Sequence, residues 1–138
     1  HNLSPFENSV CHSGKRLELS TPDEFVALHP KGAYIAESAD GTVLRATRLE
    51  NDPQGSSGFW HDSIQKRLAS GYGKIESKEI GQFQSITLFE DSDNPYIWII
   101  AVRDAGKYIE VVEAYFPNKE QLKRHQDSVV TAITGGAQ

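Results

Sequence analysis

The chain has 138 residues, 38% of them hydrophobic, and 14 Lys and Arg against 19 Asp and Glu give a formal net charge of −5. That length suits one domain with one core, and the acidic balance argues against a nucleic-acid or anionic-membrane surface, which would carry a basic footprint. Cys11 is the only cysteine, which excludes an intrachain disulfide framework and a cysteine-built zinc site, and no apolar run approaches the length of a membrane span.

Residues 1–14, "HNLSPFENSVCHSG", lack periodicity and read as a flexible or draped arm ahead of a single domain over 15–138. "KRLELS" alternates, with Leu17 and Leu19 on one side, and reads as a first strand. "EFVALH" fits a strand or one helical turn. "AYIAESADGTVLRATRLE" reads as a hairpin turning at Asp40-Gly41, a dipeptide that tolerates positive φ. After the turn-rich "NDPQGSSG", the residues Trp60, Ile64 and Leu68 recur at i, i+4 and i+8, one stripe of a helix capped by Ser57 and stopped at Gly71 or Gly73.

"KIESKEIGQFQSITLFE" returns to strand character, with Gly81 at a turn or bulge. "YIWIIAVRD" and "KYIEVVEAYF" are the most strand-like stretches, joined by "DAGK". The first is nearly all apolar, as a strand covered on both faces would be. The last segment, "NKEQLKRHQDSVVTAITGG", puts Asn118 at a cap with Gln121 three residues on, the spacing of a capping box, and lines up Leu122, Val129 and Ile133. The sum is an α+β domain: a single antiparallel sheet with hairpins, flanked by amphipathic helices at about 59–70 and 119–134.

This order, with the closing pair "KYIEVVEAYFP" and "NKEQLKRHQDSVVTAI", resembles the fold shared by the extrinsic photosystem protein PsbP, the nuclear-transport factor Mog and the bacterial DcrB-like lipoproteins, over about residues 15–134. The resemblance implies a non-enzymatic accessory or protein-binding domain.

Several stretches invite chemistry. His61, Asp62 and Ser63 are the residue types of a hydrolytic triad, but adjacent helical residues point about 100° apart and cannot converge. A hydrolase would need a site assembled across the fold around His61, with Asp62 and His125. No histidine pair has the i, i+4 spacing of a helical zinc site. In "EDSDNP", Asp91, Asp93 and Asn94 offer oxygen ligands for a weak calcium site. They serve equally as ordinary turn formers. Phe59 sits beside the inward Trp60 and is expected at a rim, where an aromatic can anchor a partner.

Phe59, Trp60, Asp91, Asp93 and Asn94 are thus the candidate partner-binding residues, with Asp91 and Asp93 the calcium candidates and no cofactor otherwise expected. The partner expected is a protein with a basic surface. The sharpest version of that expectation is an inhibitor or immunity protein that blocks a secreted bacterial toxin or enzyme, with an accessory subunit of an envelope or photosynthetic assembly as the alternative. The absence of methionine agrees with a removed signal peptide and an envelope or periplasmic location, and equally with trimming.

Overall fold

Strand-forming and helical stretches sort into one sheet and two helices in the computed structural model, which describes residues 15–28, 32–51, 54–68 and 70–136. The expected arm, with Cys11, lies outside them. The strands are β1 (Lys15–Arg16), β2 (Phe25–Leu28), β3 (Tyr34–Ser38), β4 (Val43–Glu50), β5 (Tyr72–Ile80), β6 (Phe83–Glu90), β7 (Ile97–Asp104) and β8 (Tyr108–Phe116). The helices are α1 (Ser57–Leu68) and α2 (Lys119–Gly136). The eight-stranded antiparallel sheet runs β2-β3-β4-β8-β7-β6-β5, and β1 pairs with β4 off that path. Hairpins make every contact except the short β1–β4 pair and the β4–β8 join, which zips Val43 opposite Tyr115 through to Glu50 opposite Tyr108.

Strand alternation builds two cores, one on each face. In β7, Ile97, Ile99 and Ala101 face α2, where they meet Leu44, Phe116, Val129 and Ile133. Trp98, Ile100 and Val102 face α1 and meet Ile64, Leu88 and Val111. Every residue from Ile97 to Val102 is buried, as the continuous apolar run predicts for a strand covered on both sides.

Local chemistry departs from the sequence reading at several points. The first strand forms a ladder only over Lys15–Arg16, yet Leu17 and Leu19 are both buried, so the alternation is right without the pairing. Within "EFVALH", Phe25–Leu28 form strand. The β3–β4 turn is not a two-residue Asp-Gly turn. Gly41 N donates to Ser38 O at 3.1 Å, Ser38 N donates to Thr42 O, and Gly41 alone takes positive φ, at 95°. Asp40 serves there through its carboxylate instead. The cap of α1 is Ser56, whose Oγ accepts from Phe59 N at 3.1 Å, while Ser57 Oγ accepts from Asp104 N at 2.9 Å and ties the helix start to the end of β7. In α2, Asn118 Oδ1 accepts from Gln121 N at 3.0 Å, but Gln121 Oε1 has no partner, so only half of the capping box closes.

Gly81 begins the β5–β6 turn at φ 59°, and a Cβ there would stand 2.9 Å from Thr134 Cγ2 on α2. Gly81→Ala therefore combines left-handed strain with a clash, and should cost about 1–3 kcal/mol. Urea unfolding reads the loss, and adding Thr134→Ala should recover the steric part only.

Candidate functional site

The two helices cover their faces unequally. α1 lies over β6 and β7. On that face α1 reaches Ile109 and Val111 of β8 and Leu49 of β4 with its flank, and among the described residues no helix packs extensively on β3 or β2. Where the flank of α1 meets this open half, a trough of about 180 Å³ forms. Its floor is Leu49 from β4 with Ile109 and Val111 from β8, and Trp60 and Ile64 make its wall. Ser63 and Arg67 stand at the mouth, and Trp60, Ser63, Ile64 and Arg67 are i, i+3, i+4 and i+7, one side of α1. An apolar floor with a few polar groups at the rim is the usual make-up of a binding concavity. Beyond the trough the open half continues through Ile35 to Val26 and Leu28 on edge strand β2, which are 68% and 42% exposed. Arg45 and the fully buried Glu113 stand opposite each other across β4 and β8 on this half.

A second cleft, of about 300 Å³, adjoins the trough at Glu50 and is lined by Asn51, Gln54, Gly106, Lys107 and Tyr108. Asn51 organises this end. Its side-chain oxygen accepts from Trp60 Nε1 and Gly55 N, both at 2.8 Å, and its amide nitrogen donates to Gly55 O, Gly106 O and Asp104 Oδ1. Phe59 lies edge-on to Trp60 at 5.1 Å and is 50% exposed, beside Gly55, where a Cβ would overlap its ring.

The residues singled out from the sequence do not gather in one place. Ser57 at the start of α1 bonds the Asp104 end of β7, so Phe59 and Trp60 lie there. Asp91, Asp93 and Asn94 are exposed on the β6–β7 turn at the other end of β7, about 25 Å away at the rise of an antiparallel strand. A single patch combining the aromatics with the acidic turn is therefore corrected to two separated surfaces. Glu90 does much of the work of that turn: its carboxylate accepts from Ser92 Oγ at 3.1 Å and from Tyr96 N at 3.4 Å. Asp91 packs against bulged Gly73 of β5, where any Cβ would come within 3.0 Å of it. Among the described residues no three His, Cys, Asp or Glu side chains converge as metal ligands, so the calcium reading gains no support.

His61 does find a serine, though not Ser63. Its Nδ1 lies 2.9 Å from Asp62 Oδ1 and its Nε2 lies 3.2 Å from Ser77 Oγ on β5, and that hydroxyl donates to Gln65 Oε1 at 3.4 Å. The chain of bonds ties the outer flank of α1 to the edge strand. Neither the trough nor the cleft is lined by His61 or Ser77. His125 belongs to α2 on the opposite face, so two layer spacings of about 10 Å separate it from His61. A general base must reach its proton, which removes the site assembled from His61 and His125.

His125 is instead 1% exposed, with Nε2 2.7 Å from Asp40 Oδ2 and the Phe25 ring edge-on at 5.0 Å. Burial pushes the Asp40 carboxyl up, but hydrogen bonds from Ser38, His125 and Thr42 outweigh it and hold the group well below the usual carboxylate range. Burial likewise raises the phenols of Tyr72 and Tyr115, which cluster with Tyr96 beside Trp98.

The sequence reading missed Leu49, Asn51, Arg67, Ile109 and Val111. The i, i+3, i+4, i+7 series from Trp60 to Arg67 was the available signal. A helix flank that is half apolar and half polar borders something other than core.

A sheet with one helix on each face is the class of fold, and solved structures share it. A protein from Bacteroides thetaiotaomicron superposes at TM-score 0.57 with 12% identity over 88% of this chain, which spans about half (47%) of that protein's length. A point variant of the protein Mog1 gives TM-score 0.54 at 12% identity over 88% of each chain. The Ran-binding protein Mog1p of Saccharomyces cerevisiae gives 0.52 at 12% identity, over 83% of this chain and 82% of that one. No protein-family model matches, and no curated protein sequence does. The fold relation to Mog is thereby established, and the DcrB-like part of the resemblance has no support in these likenesses.

Proposed function

We propose that the chain is a non-catalytic protein-binding domain that receives its partner along the inner flank of α1. The carrying observation is the trough between Trp60, Ile64 and the floor of β4 and β8, open toward the β3–β2 side of that face, on which no described helix packs extensively. A cavity of about 180 Å³ holds one large apolar side chain, the usual size of an interface anchor. Support from outside the chain is the shared fold with Mog1p, described as Ran-binding.

The finer version is an exported inhibitor or immunity protein that caps a secreted enzyme or toxin, with Phe59 and Trp60 at the contact. A small domain without a convergent catalytic group suits that role. An accessory subunit of an envelope assembly would use the same trough. The acidic turn Asp91–Asn94 would then be a separate surface.

The test fills the trough. Ser63→Trp with Arg67→Glu changes two exposed positions and leaves the core alone. Capture of a stoichiometric partner from the native organism by the unaltered chain should fall about tenfold or more with the filled trough. A partner held equally by both proteins would place the interface elsewhere.

A further inference from the structure

The charge at the end of the sheet beside the second cleft is of the opposite sign to the chain as a whole. Lys15 and Arg48 are direct cross-strand neighbours in the β1–β4 pair. Both reach the same ring: Lys15 Nζ lies 5.6 Å and the Arg48 guanidinium 5.0 Å from the centre of Tyr108. Lys107 lines the cleft next to that tyrosine. Like charges directly opposite in a sheet repel, and one aromatic ring offsets this only in part.

Among the described residues, nearby carboxylates do not neutralise the group. Glu110 faces Arg48 in the ladder but accepts from Arg103 Nε at 2.6 Å, and Asp104 accepts from Asn51 and Gly106. Among the described residues, Glu50 is the one acidic residue lining the cleft. Lys15, Arg48 and Lys107 make no ion pair among the described residues, and Arg48 Nε is buried without a hydrogen-bond partner. Three cations and an orphaned guanidinium nitrogen, kept together in a chain of net charge −5, are an arrangement that costs stability unless an anion completes it.

We infer that this end of the sheet, around Tyr108 and the cleft it lines, is an interaction surface for an acidic segment of a protein partner, whose carboxylates meet Lys15, Arg48 and Lys107. The inference rests on the protein-binding reading and reverses the sign of partner expected from the overall charge. Guanidinium–carboxylate pairing supplies the geometry. The acidic remainder of the chain restricts such a partner to a local docking of this end, since a broadly acidic surface would be repelled.

The probe is a short fluorescein-labelled glutamate-rich peptide, titrated against the full chain while backbone amide resonances are followed. Binding should move amides of Gly106, Lys107, Tyr108 and Arg48, and should weaken as salt rises. Lys15→Glu with Lys107→Glu, both at exposed positions, should weaken it about tenfold or more, and Arg48→Gln alone should weaken it several-fold. The inference is overturned if the same peptide with lysines in place of glutamates binds as well, if the charge reversals leave affinity unchanged, or if inorganic phosphate moves the same amides as strongly, which would mark a general anion patch. Partner capture that survives these charge reversals but not the filled trough would overturn this inference alone and leave the protein-binding reading standing.

Discussion

Replacing His125 with alanine should lower the unfolding free energy by about 2–4 kcal/mol, a large share of the margin of an ordinary domain. Two losses combine. The imidazole is 1% exposed and packs edge-on against Phe25, so its removal leaves a void under β2. Its departure also strips a charge-assisted donor from Asp40, whose carboxylate anchors the β3–β4 turn through Ser38 and Thr42. Asp40→Asn should cost less, about 1–3 kcal/mol, because the amide keeps the packing and one acceptor oxygen.

The acid limb separates packing from charge in this latch. Asp40 has a carboxyl pKa held below its unfolded value of 3.8, so the unfolded chain binds more protons across that interval. The stabilisation is present above about pH 4 and is lost as pH falls through the folded value. Stability of the unaltered chain should therefore drop on acidification below about pH 4, and the Asp40→Asn chain should show a shallower drop over that range. Urea midpoints measured through the acid range check this. Parallel acid limbs in the two proteins would show that Asp40 contributes no linkage.

What was legible in the sequence follows from how each signal is written. Strands β7 and β8 announce themselves because burial on both faces calls for runs rich in β-branched and aromatic residues, and α2 because one apolar stripe repeats along the helix. Hairpin positions were legible from Gly41, Gly81 and Gly106, which all take positive φ. Strand pairing between β4 and β8 was not, because Val43 and Tyr115 are brought together by the fold and by no local pattern. Half of the candidate site shares that difficulty. Trp60, Ile64 and Phe59 were visible as helix residues. Leu49, Ile109 and Val111 read as ordinary alternating strand positions, and only the incomplete cover by α1 turns them into a trough floor. Asp40 and His125 are 85 residues apart, so their pairing leaves no trace in spacing. Asn51 was hidden in a stretch dense with turn formers, where asparagine is unremarked.

Asn51→Ala should cost about 2–4 kcal/mol and should loosen both concavities together. A primary amide offers two donors and an acceptor oxygen with two lone pairs. Here the oxygen takes Gly55 N and Trp60 Nε1, and the two N–H groups are shared among Gly55 O, Gly106 O and Asp104 Oδ1, so the inventory is fully used. Alanine leaves the indole N–H that holds the trough wall without its acceptor, and frees the Gly106 turn that carries Lys107 at the cleft. Asn51→Asp is the sharper test. Its shape is the same, but a carboxylate would face two backbone carbonyls and the Asp104 carboxylate where the amide donated to all three. If the fold depends on the bonds, the aspartate should destabilise at least as much as the alanine at neutral pH, and should recover stability as acid protonates it. If it depends only on filled space, the aspartate should behave as the native chain does. Thermal unfolding across pH decides between these outcomes.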